Sequence, residues 1–234
     1  MQSQHVTTAP AVPDPELHQD GHSATRINVD LLERQYGYRF AKRAFDIVAS
    51  AAGLIVLSPV FAILAIMIKQ DDHGPVFFSQ PRVGQDGREF RMYKFRSMCV
   101  DAEARLKALL DRNEVEGAMF KIKDDPRVTE IGKFIRRTSL DELPQLWNVL
   151  CGDMSLVGPR PPLQREVAEY TEYDMQRLAV KPGCTGLWQV GDRNHVGFHE
   201  MVELDLDYIE HRGVWNDLQI VGRTVAIVFK ATGI

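Results

Sequence analysis

The chain has 234 residues, with 28 lysines and arginines against 32 aspartates and glutamates and a formal net charge of −4 at pH 7. This length suffices for one domain with a substantial core, and the balanced charge carries no basic footprint, so we expect no nucleic-acid partner. The widely spaced Cys99, Cys151 and Cys184 predict neither a disulfide framework nor a zinc site, and we interpret them as reduced thiols of a chain that faces the cytoplasm.

The N-terminal third of the chain contains a long apolar run. Residues 1–29 lack both apolar periodicity and the pattern of a signal peptide, so we interpret them as a disordered leader. Residues 30–41 predict a short helix. The apolar run at 44–68 is long enough for a straight helix to cross a hydrocarbon core of about 30 Å. Ser58 and Pro59 lie near its middle, where proline bends or breaks a helix.

Charges around this apolar run favour a helix that enters the membrane and returns to the same side. Asp46 lies near the start of the run, where a lone carboxylate in lipid is costly. Basic residues flank both ends, and the positive-inside rule then places both ends in the cytoplasm. We therefore predict a re-entrant helix hairpin, with a straight signal anchor and a fully buried soluble helix as alternatives. The basic residues are Arg39, Lys42 and Arg43 before the run, and Lys69 and Arg82 after it.

Residues 76–98 predict a β-hairpin, because a turn signal at 85–87 separates two segments rich in strand-forming residues. Alternation along the second strand places Lys94 and Arg96 on one face. These two cations either bind an anion or form a solvated surface. Two helices follow, at 101–112 and 128–136.

Two adjacent carboxylates, Asp141 and Glu142, are the candidate catalytic residues, with Arg136 shortly before them. Apolar spacing over 143–150 predicts a helix, and the proline in its first turn places the start near residue 140. Ser139 and Glu142 also fit a capping box. The helix terminus favours negative charge, and an ionised aspartate beside arginine is a candidate nucleophile toward phosphorus. The alternative is that Asp141 only caps the helix.

Two rigid turns carry further candidate binding residues. Glycine and prolines surround Arg160 and fix the backbone that aims its guanidinium, which suits phosphate. A second turn combines Lys181 with Trp188 and Gln189, a set that can hold a nucleotide by stacking and amide hydrogen bonds. The local pattern favours the alternative, a core tryptophan beside a turn.

The C-terminal part predicts one polar loop and two helices. Arg193 lies in the loop, and residues 198–211 predict an acidic helix that includes Asp205 and Tyr208. The apolar stripe at 215–229 predicts a final helix that lies either in the core or at a membrane interface. The sequence contains no internal repeat, Walker loop, GxGxxG fingerprint, GxSxG elbow or HExxH motif.

Residues 40–230 resemble the bacterial sugar transferases, the monotopic polyprenyl-phosphate phosphoglycosyltransferases. Several long motifs in the same order carry this resemblance, which makes it specific. The matching segments are KRAFD (42–46), SP (58–59), YKFRSM (93–98), DPRVT (125–129), SLDELPQL (139–146), MSLVGPRP (154–161), KPGCTGLWQV (181–190) and the closing helix at 215–224.

The resemblance implies a helix-rich α+β fold: a re-entrant membrane helix hairpin broken at Ser58-Pro59, and a small cytoplasmic catalytic domain with a short β-hairpin and amphipathic interfacial helices. It places the chain on the cytoplasmic face of the bacterial inner membrane, with the lipid bilayer as a partner. We also consider that the chain forms a homodimer. The implied divisions are a leader at 1–29, the lead-in and membrane helix at 30–69, and the catalytic domain at 70–234.

The resemblance also implies that the chain transfers a sugar-1-phosphate from a UDP-sugar to undecaprenyl phosphate and releases UMP, as the first membrane step of exopolysaccharide, capsule or O-antigen synthesis. Carried onto this chain, Asp141 attacks the β-phosphate, and the acceptor lipid then takes the phosphosugar from the enzyme. Asp141 and Glu142 are the implied ligands of Mg²⁺. Glucose or galactose is the expected sugar by analogy. The implied substrate-binding residues are Lys94, Arg96, Arg136, Arg160, Lys181, Gln189, Arg193 and Asp205.

The sequence departs from the family pattern at two places. Cys184 stands where isoleucine is usual, and Gly191-Asp192-Arg193 stands where Ser-Gly-Arg is common. We interpret the chain as the minimal catalytic unit with a short leader. Two other functions are kept as alternatives: a catalytically silent membrane-anchored scaffold for polysaccharide assembly, and a glycosyltransferase that moves only the sugar and releases UDP.

Overall fold

The computed structural model describes residues 27–106, 125–191 and 197–229. Most of the predicted leader and much of the helix predicted at 101–112 lie outside these ranges. The helices are α1 (Val29–Arg34), α2 (Tyr36–Val56), α3 (Ser58–Asp72), α4 (Ala102–Leu106), α5 (Glu130–Arg137), α6 (Gln145–Cys151), α7 (Gln164–Val167), α8 (Glu172–Met175), α9 (Leu187–Val190), α10 (Phe198–His211) and α11 (Val214–Phe229). The strands are β1 (Phe77–Val83), β2 (Glu89–Phe95), β3 (Ser155–Val157) and β4 (Gly183–Thr185).

The strands form two small sheets, so the helix-rich α+β class predicted from the sequence is confirmed. β1 and β2 pair antiparallel, in a register that aligns Phe77 with Phe95 and Val83 with Glu89. Asp86 and Gly87 turn the chain between them with φ values of 56° and 75°, a left-handed conformation that Asp and Gly tolerate well. β3 and β4 pair in parallel, and the sequence analysis did not anticipate this pairing.

The apolar run forms two helices with a sharp break between them. α2 ends at Val56 and α3 begins at Ser58, whose Oγ donates a hydrogen bond of 2.8 Å to the Ile55 carbonyl. The predicted break at Ser58-Pro59 is therefore confirmed. Within the described ranges, no single helix has both the length and the apolarity to cross a membrane, whereas α2 and α3 together have both and bend by 58° at their junction.

Side chains near the start of α2 tie it to the rest of the chain. The buried Asp46 accepts hydrogen bonds from the Ser155 hydroxyl (3.1 Å) and the Leu156 backbone N–H (3.0 Å). This carboxylate therefore does not face lipid, because β3 supplies its partners. Arg43 donates from its two Nη atoms to carbonyl oxygens near the C-terminal end of α6, at 2.6 and 2.9 Å, where cations stabilise a helix.

Three apolar clusters hold the elements together, and β2 contributes to two of them. One cluster packs α3 and α5 against β2 through Leu64, Ile68, Phe95 and Ile135. A second packs β2 against α6 and the start of β3 through Met92, Val149 and Met154. The third, larger cluster joins α10 and α11 to the two-stranded parallel sheet and to α1. Its buried members are Leu32, Val157, Val180, Val202, Leu206, Tyr208, Ile209 and Ile220.

Candidate active site

A short 3₁₀ turn, Leu140–Glu142, carries the two candidate catalytic carboxylates. Ser139 has a left-handed conformation, with φ 55° and ψ 19°, and its side chain caps no N–H group. Its backbone carbonyl instead accepts from the Glu142 N–H at 3.3 Å. The predicted capping box was therefore wrong. So was the predicted helix start near residue 140, since α6 begins only at Gln145.

The buried face of α6 is also not the apolar face that the spacing over 143–150 predicts, which we call the predicted stripe. Gln145, Asn148 and Val149 are buried, whereas Trp147 of the predicted stripe is 52% exposed. Asn148 explains the difference: its amide donates to the Arg91 carbonyl (2.7 Å), and its amide oxygen accepts from a β2 N–H (3.0 Å). The helix that follows the carboxylates is thereby fixed to β2 by polar contacts.

Asp141 is buried, and its environment raises its pKa to about 6. Burial is the largest cause of this raised pKa, because it disfavours the charged form, and the adjacent Glu142 raises the pKa further by repulsion. Lys94 and Arg136 lower the same pKa by attraction. The carboxylate is thus ionised at neutral pH, poorly hydrated, and flanked by cations. These are properties of a nucleophile rather than of a solvated helix cap.

Two cations from different elements surround this turn. Lys94 in β2 donates from Nζ to Glu142 Oε1 at 2.7 Å. Arg136 in α5 is held by a hydrogen bond from its Nε to the Ser97 hydroxyl at 3.0 Å. This is its only side-chain hydrogen bond within the described residues, so its two Nη groups remain available to a ligand. The structure therefore brings together four of the predicted site residues: Lys94, Arg136, Asp141 and Glu142.

Arg96 has protein partners for its whole guanidinium. Its guanidinium forms a bidentate ion pair with Asp72 at the end of α3, and also donates to the carbonyl oxygens of Pro75 and Met98. All three guanidinium nitrogens are therefore occupied. Arg96 thus fastens the end of α3 to the hairpin, and the substrate-binding role given to it stays a prediction.

Asp205 also has a protein partner. It is fully buried in α10 and forms an ion pair with the equally buried Arg177. Arg177 also donates to the Tyr170 hydroxyl at 2.8 Å. This carboxylate therefore has an internal partner and almost no exposure to solvent, and the substrate-binding role given to it stays a prediction. Tyr208, one turn further along α10, is buried as well and donates to Asp217 Oδ1 at 2.8 Å.

Three predicted site residues remain: Lys181, Gln189 and Arg193. Lys181 lies near Gly152, and burial lowers the pKa of its ammonium group, with repulsion by Arg43 as the next cause. Gln189 donates to the carbonyl of Cys184 at 3.3 Å. Arg193 lies outside the described ranges. The nucleotide-binding roles given to these three residues stay predictions.

Cys184, one of the departures from the family pattern, lies beneath the site. Burial raises the pKa of its thiol, and the negative charge of Glu142 is the next largest cause. The thiol therefore stays protonated and packs as a small apolar group against the cluster of Met92, Val149 and Met154.

Arg82, at the end of β1, is a candidate that the sequence analysis missed and named only as a charge flanking the apolar run. Its guanidinium is buried and donates to the Pro161 carbonyl and to Gln80 Oε1, both at 3.0 Å. Arg160, predicted to bind phosphate, lies in the same turn as Pro161 and donates to Glu166 at 3.3 Å. The alternation of side chains along β1 could have indicated Arg82 as a site residue, because it places Arg82 and Gln80 on one face of the strand.

An apolar cavity of about 280 Å³ lies on the other side of the hairpin. Tyr93 lines it and is adjacent to Lys94 in β2, so the cavity and the carboxylate pair contact opposite faces of this strand. The side chains around the cavity are apolar or aromatic and come from α2, α3, the hairpin, α6 and the residue before α6. They are Leu54, Phe61, Phe77, Tyr93, Pro144 and Trp147.

The donor chemistry of the carboxylate pair suits a magnesium ion. Mg²⁺ is usually held by one or two carboxylates together with substrate phosphates and water, rather than by a cage of protein ligands. Asp141 and Glu142 supply such a pair, and no group of three or more His, Cys, Asp or Glu side chains is arranged for a metal among the residues described. These residues therefore fit a cation that arrives with a phosphorylated substrate.

Comparisons with known proteins agree on one family. The Bacterial sugar transferase family model matches residues 37–231. Galactosyl transferase CpsE of Streptococcus agalactiae is 50% identical over 200 residues, which cover 85% of this chain and 44% of that protein. Undecaprenyl-phosphate galactose phosphotransferase of Salmonella typhimurium is 45% identical over 212 residues, or 89% of this chain and 44% of the other.

A shorter relative matches along most of its length. Exopolysaccharide production protein ExoY of Rhizobium meliloti is 38% identical over 197 residues, which cover 82% of this chain and 87% of that protein. The chain spans less than half the length of the other two relatives. Each of the three alignments covers more than four fifths of this chain.

Proposed function

Because the chain belongs to the bacterial sugar transferase family, we propose that it transfers a sugar-1-phosphate from a UDP-sugar to undecaprenyl phosphate and releases UMP. One observation carries the proposal: Asp141 is a buried carboxylate flanked by Glu142, Lys94 and Arg136. A phosphorus centre needs an anionic nucleophile together with cations that neutralise its oxygens, and this turn supplies both.

The reaction takes place in two displacements at the β-phosphorus of the donor. In the first, an Asp141 carboxylate oxygen forms a bond to this phosphorus while the bond to the oxygen bridging the two phosphates breaks, and UMP leaves with that oxygen. In the second, an oxygen of the lipid phosphate attacks the same phosphorus and the Asp141 oxygen leaves. The carboxylate is regenerated, and the lipid product carries the sugar through a diphosphate.

The charged neighbours have separate roles in these steps. Arg136 is held through Nε, so its Nη groups can donate to phosphate oxygens in a bidentate manner. Lys94 neutralises Glu142 in the structure and can transfer its hydrogen bonds to a phosphate when a cation binds the carboxylates. Asp141 and Glu142 would hold Mg²⁺, which would neutralise the diphosphate and stabilise the departing nucleotide.

We place the reaction at the cytoplasmic face of the inner membrane. Two properties of the hairpin support this placement: one face carries the cations Lys94 and Arg82, and the face of Tyr93 borders the apolar cavity next to α2 and α3. A lipid phosphate at headgroup level can approach Lys94 while its isoprenoid chain stays with the apolar elements. Glucose and galactose are the sugars we propose, the latter named for two of the relatives.

Nucleotide release tests this function directly. Protein in nanodiscs is given undecaprenyl phosphate, Mg²⁺ and either UDP-glucose or UDP-galactose. We expect one equivalent of UMP per enzyme without lipid and continued UMP release only when the lipid is present, and we expect both to require the metal and to be lost in Asp141→Asn. Asp86→Asn is the matched control, because Asp86 is exposed in the hairpin turn and its left-handed conformation also suits asparagine.

The products distinguish the proposal from its alternatives. Release of UDP in place of UMP would identify a glycosyltransferase that moves only the sugar. Folded protein that releases neither nucleotide from any donor would instead support the scaffold function. The buried Asp141 carboxylate argues against a scaffold, because a buried charge without a ligand to bind only reduces stability.

A further inference from the structure

The register of the β-hairpin places Arg82 on the face that carries Lys94. Directly paired residues of an antiparallel hairpin lie on the same face, and so do alternate residues along each strand. Successive rows on one face are about 7 Å apart, so Arg82 lies two rows, or about 14 Å along the strand, from Lys94. The other residues on this face are Phe78, Gln80, Phe90 and Met92.

The hydrogen bonds of Arg82 direct its guanidinium back along this face. Nη2 donates to Gln80 Oε1 at 3.0 Å, and Gln80 lies one row nearer to Lys94. Nη1 donates at 3.0 Å to the carbonyl of Pro161, the residue next to Arg160. A backbone hydrogen bond of 2.9 Å from Val83 to the same turn fixes the two segments together. The guanidinium is therefore held between the Lys94 end of the hairpin and the turn that carries Arg160.

This buried cation lacks the partners that such a group normally has. Within the described residues, no carboxylate lies within ion-pair distance of Arg82, and its Nε–H has no acceptor. Its pKa is lowered to about 10, mainly by burial and then by repulsion from Arg160, while attraction to Glu166 and Glu142 acts in the opposite direction. Burying an unpaired charge costs several kcal/mol. A bound anion would offset this cost.

We infer that Arg82 is a phosphate-binding residue, which forms with Arg160 a second phosphate subsite beside the Asp141–Glu142 turn. The inference rests on the proposed function, which requires two phosphate groups near the attacked phosphorus: that of the departing nucleotide and that of the acceptor lipid. Both are phosphate monoesters once separated, and either can occupy the subsite. A planar guanidinium with a free N–H fits such a group by charge and by geometry.

Binding of isolated phosphate monoesters tests this inference without turnover. The probes are UMP and a short-chain isoprenyl phosphate, titrated separately into the nanodisc-embedded protein by calorimetry, with thermal melting recorded at the same concentrations. Arg82→Gln removes the charge but keeps an amide that can donate to Pro161. We expect it to weaken one probe about tenfold to hundredfold and to abolish the rise in Tm that this probe causes. Arg82→Lys should weaken binding of that probe less than Arg82→Gln does.

Arg91→Gln is the matched control. Arg91 belongs to the same hairpin but lies on the opposite face, where it is exposed and donates to the Ser79 hydroxyl. Weakening of UMP alone assigns the subsite to the nucleotide, and weakening of the isoprenyl phosphate alone assigns it to the acceptor. If Arg82→Gln binds both probes as well as Arg91→Gln does, the inference is wrong. Should Arg82→Gln fail to fold, Arg160→Gln decides by the same comparison, because Arg160 is the other cation of the subsite.

These measurements stay separate from the test of the reaction itself. If wild-type protein binds the probes through Arg82 but releases no UMP from any donor, the proposed function fails and the subsite stands. If it releases UMP while Arg82→Gln and wild type bind both probes equally, the function stands and the subsite fails.

Discussion

Asp141 and Asp205 are two buried carboxylates whose neighbours give them opposite effects on stability. Burial raises the pKa of each to about 6. Asp205 has the guanidinium of Arg177 in direct contact, whereas Asp141 has Glu142 beside it and cations that act only from a distance. The charge of Asp205 is therefore compensated within the fold, and that of Asp141 is available to a substrate.

We predict that Asp141→Asn stabilises the protein above pH 6. The folded-state pKa lies above the unfolded value, so the carboxyl favours folding below about pH 4 and loses that contribution as the pH rises to 6. Asparagine removes the cost of the buried charge. Since one pKa unit corresponds to about 1.4 kcal/mol, we expect a gain in unfolding free energy of about 1–3 kcal/mol at pH 7.5 and almost none at pH 4. Denaturant unfolding at the two pH values measures it.

Asp205→Asn is the comparison, and it should act in the opposite direction. The substitution leaves Arg177 buried without its counter-charge, which costs about 3–5 kcal/mol in other proteins. A loss of stability in both variants would show that Asp141 is an ordinary structural carboxylate. It would contradict the assignment of Asp141 as a strained functional group.

The pH dependence of the reaction should follow the ionisation of Asp141. Only the carboxylate attacks phosphorus, so we expect kcat/KM for the UDP-sugar to fall about tenfold per pH unit below pH 6 and to level off above it. Lys94 lowers the pKa of Asp141 by attraction. Lys94→Gln should therefore move the inflection to higher pH, in addition to reducing the rate. An inflection that stays fixed in Lys94→Gln would exclude Asp141 as the titrating group.

At the scale of elements, α5 is positioned by close contact with the strand-like segment at Ser97. A Cβ atom added to Gly132 would lie 2.0 Å from the Ser97 carbonyl oxygen, and the Ser97 hydroxyl accepts from Arg136 one turn later. The absence of a side chain at Gly132 therefore sets the distance at which Arg136 faces the site.

We predict that Gly132→Ala destabilises the protein by about 1–3 kcal/mol, because the backbone must shift to admit the methyl group. The same shift should displace Arg136 and reduce UMP release more than the loss of stability explains. Gly222→Ala in α11 is the matched control, since a Cβ there meets nothing within 4 Å. Removing a helical glycine should increase stability by about 0.5–1 kcal/mol. Equal effects of the two substitutions on melting would contradict this account of α5.

The elements that the sequence predicted correctly are those specified by neighbouring residues. The turn at 85–87 and the alternation on either side determine the hairpin, and Ser58-Pro59 determines the break between α2 and α3. The contacts that the sequence did not predict depend on residues distant in sequence. Arg96 pairs with Asp72 and Asp205 with Arg177, and nothing local to Arg96 or Asp205 specifies these partners.

At the scale of the whole molecule, both ends of the α2–α3 pair are fastened to the same body. Near the start of α2, Lys42 forms an ion pair with Asp217 of α11 at 2.9 Å. At the end of α3, Asp72 forms an ion pair with Arg96, which follows β2. A helix pair held at both ends by one domain cannot place those ends on opposite sides of a bilayer. Its exposed apolar residues near the bend, Ile55, Val56, Ile63 and Ile66, then form the part we expect to enter the lipid.

We therefore predict that residue 29 lies on the cytoplasmic side, together with the catalytic domain. The test variant is Val29→Cys, at the start of α1, where the side chain is 50% exposed. Spheroplasts that contain this variant are treated with a membrane-impermeant maleimide. The cysteine should stay unlabelled until the cells are lysed, as should the exposed native Cys151 in α6. A straight anchor that crosses the membrane once would label at residue 29 in intact spheroplasts while protecting Cys151. That result would also require the Lys42–Asp217 and Asp72–Arg96 pairs to break in the membrane, so charge-removing variants of either pair would then leave stability unchanged.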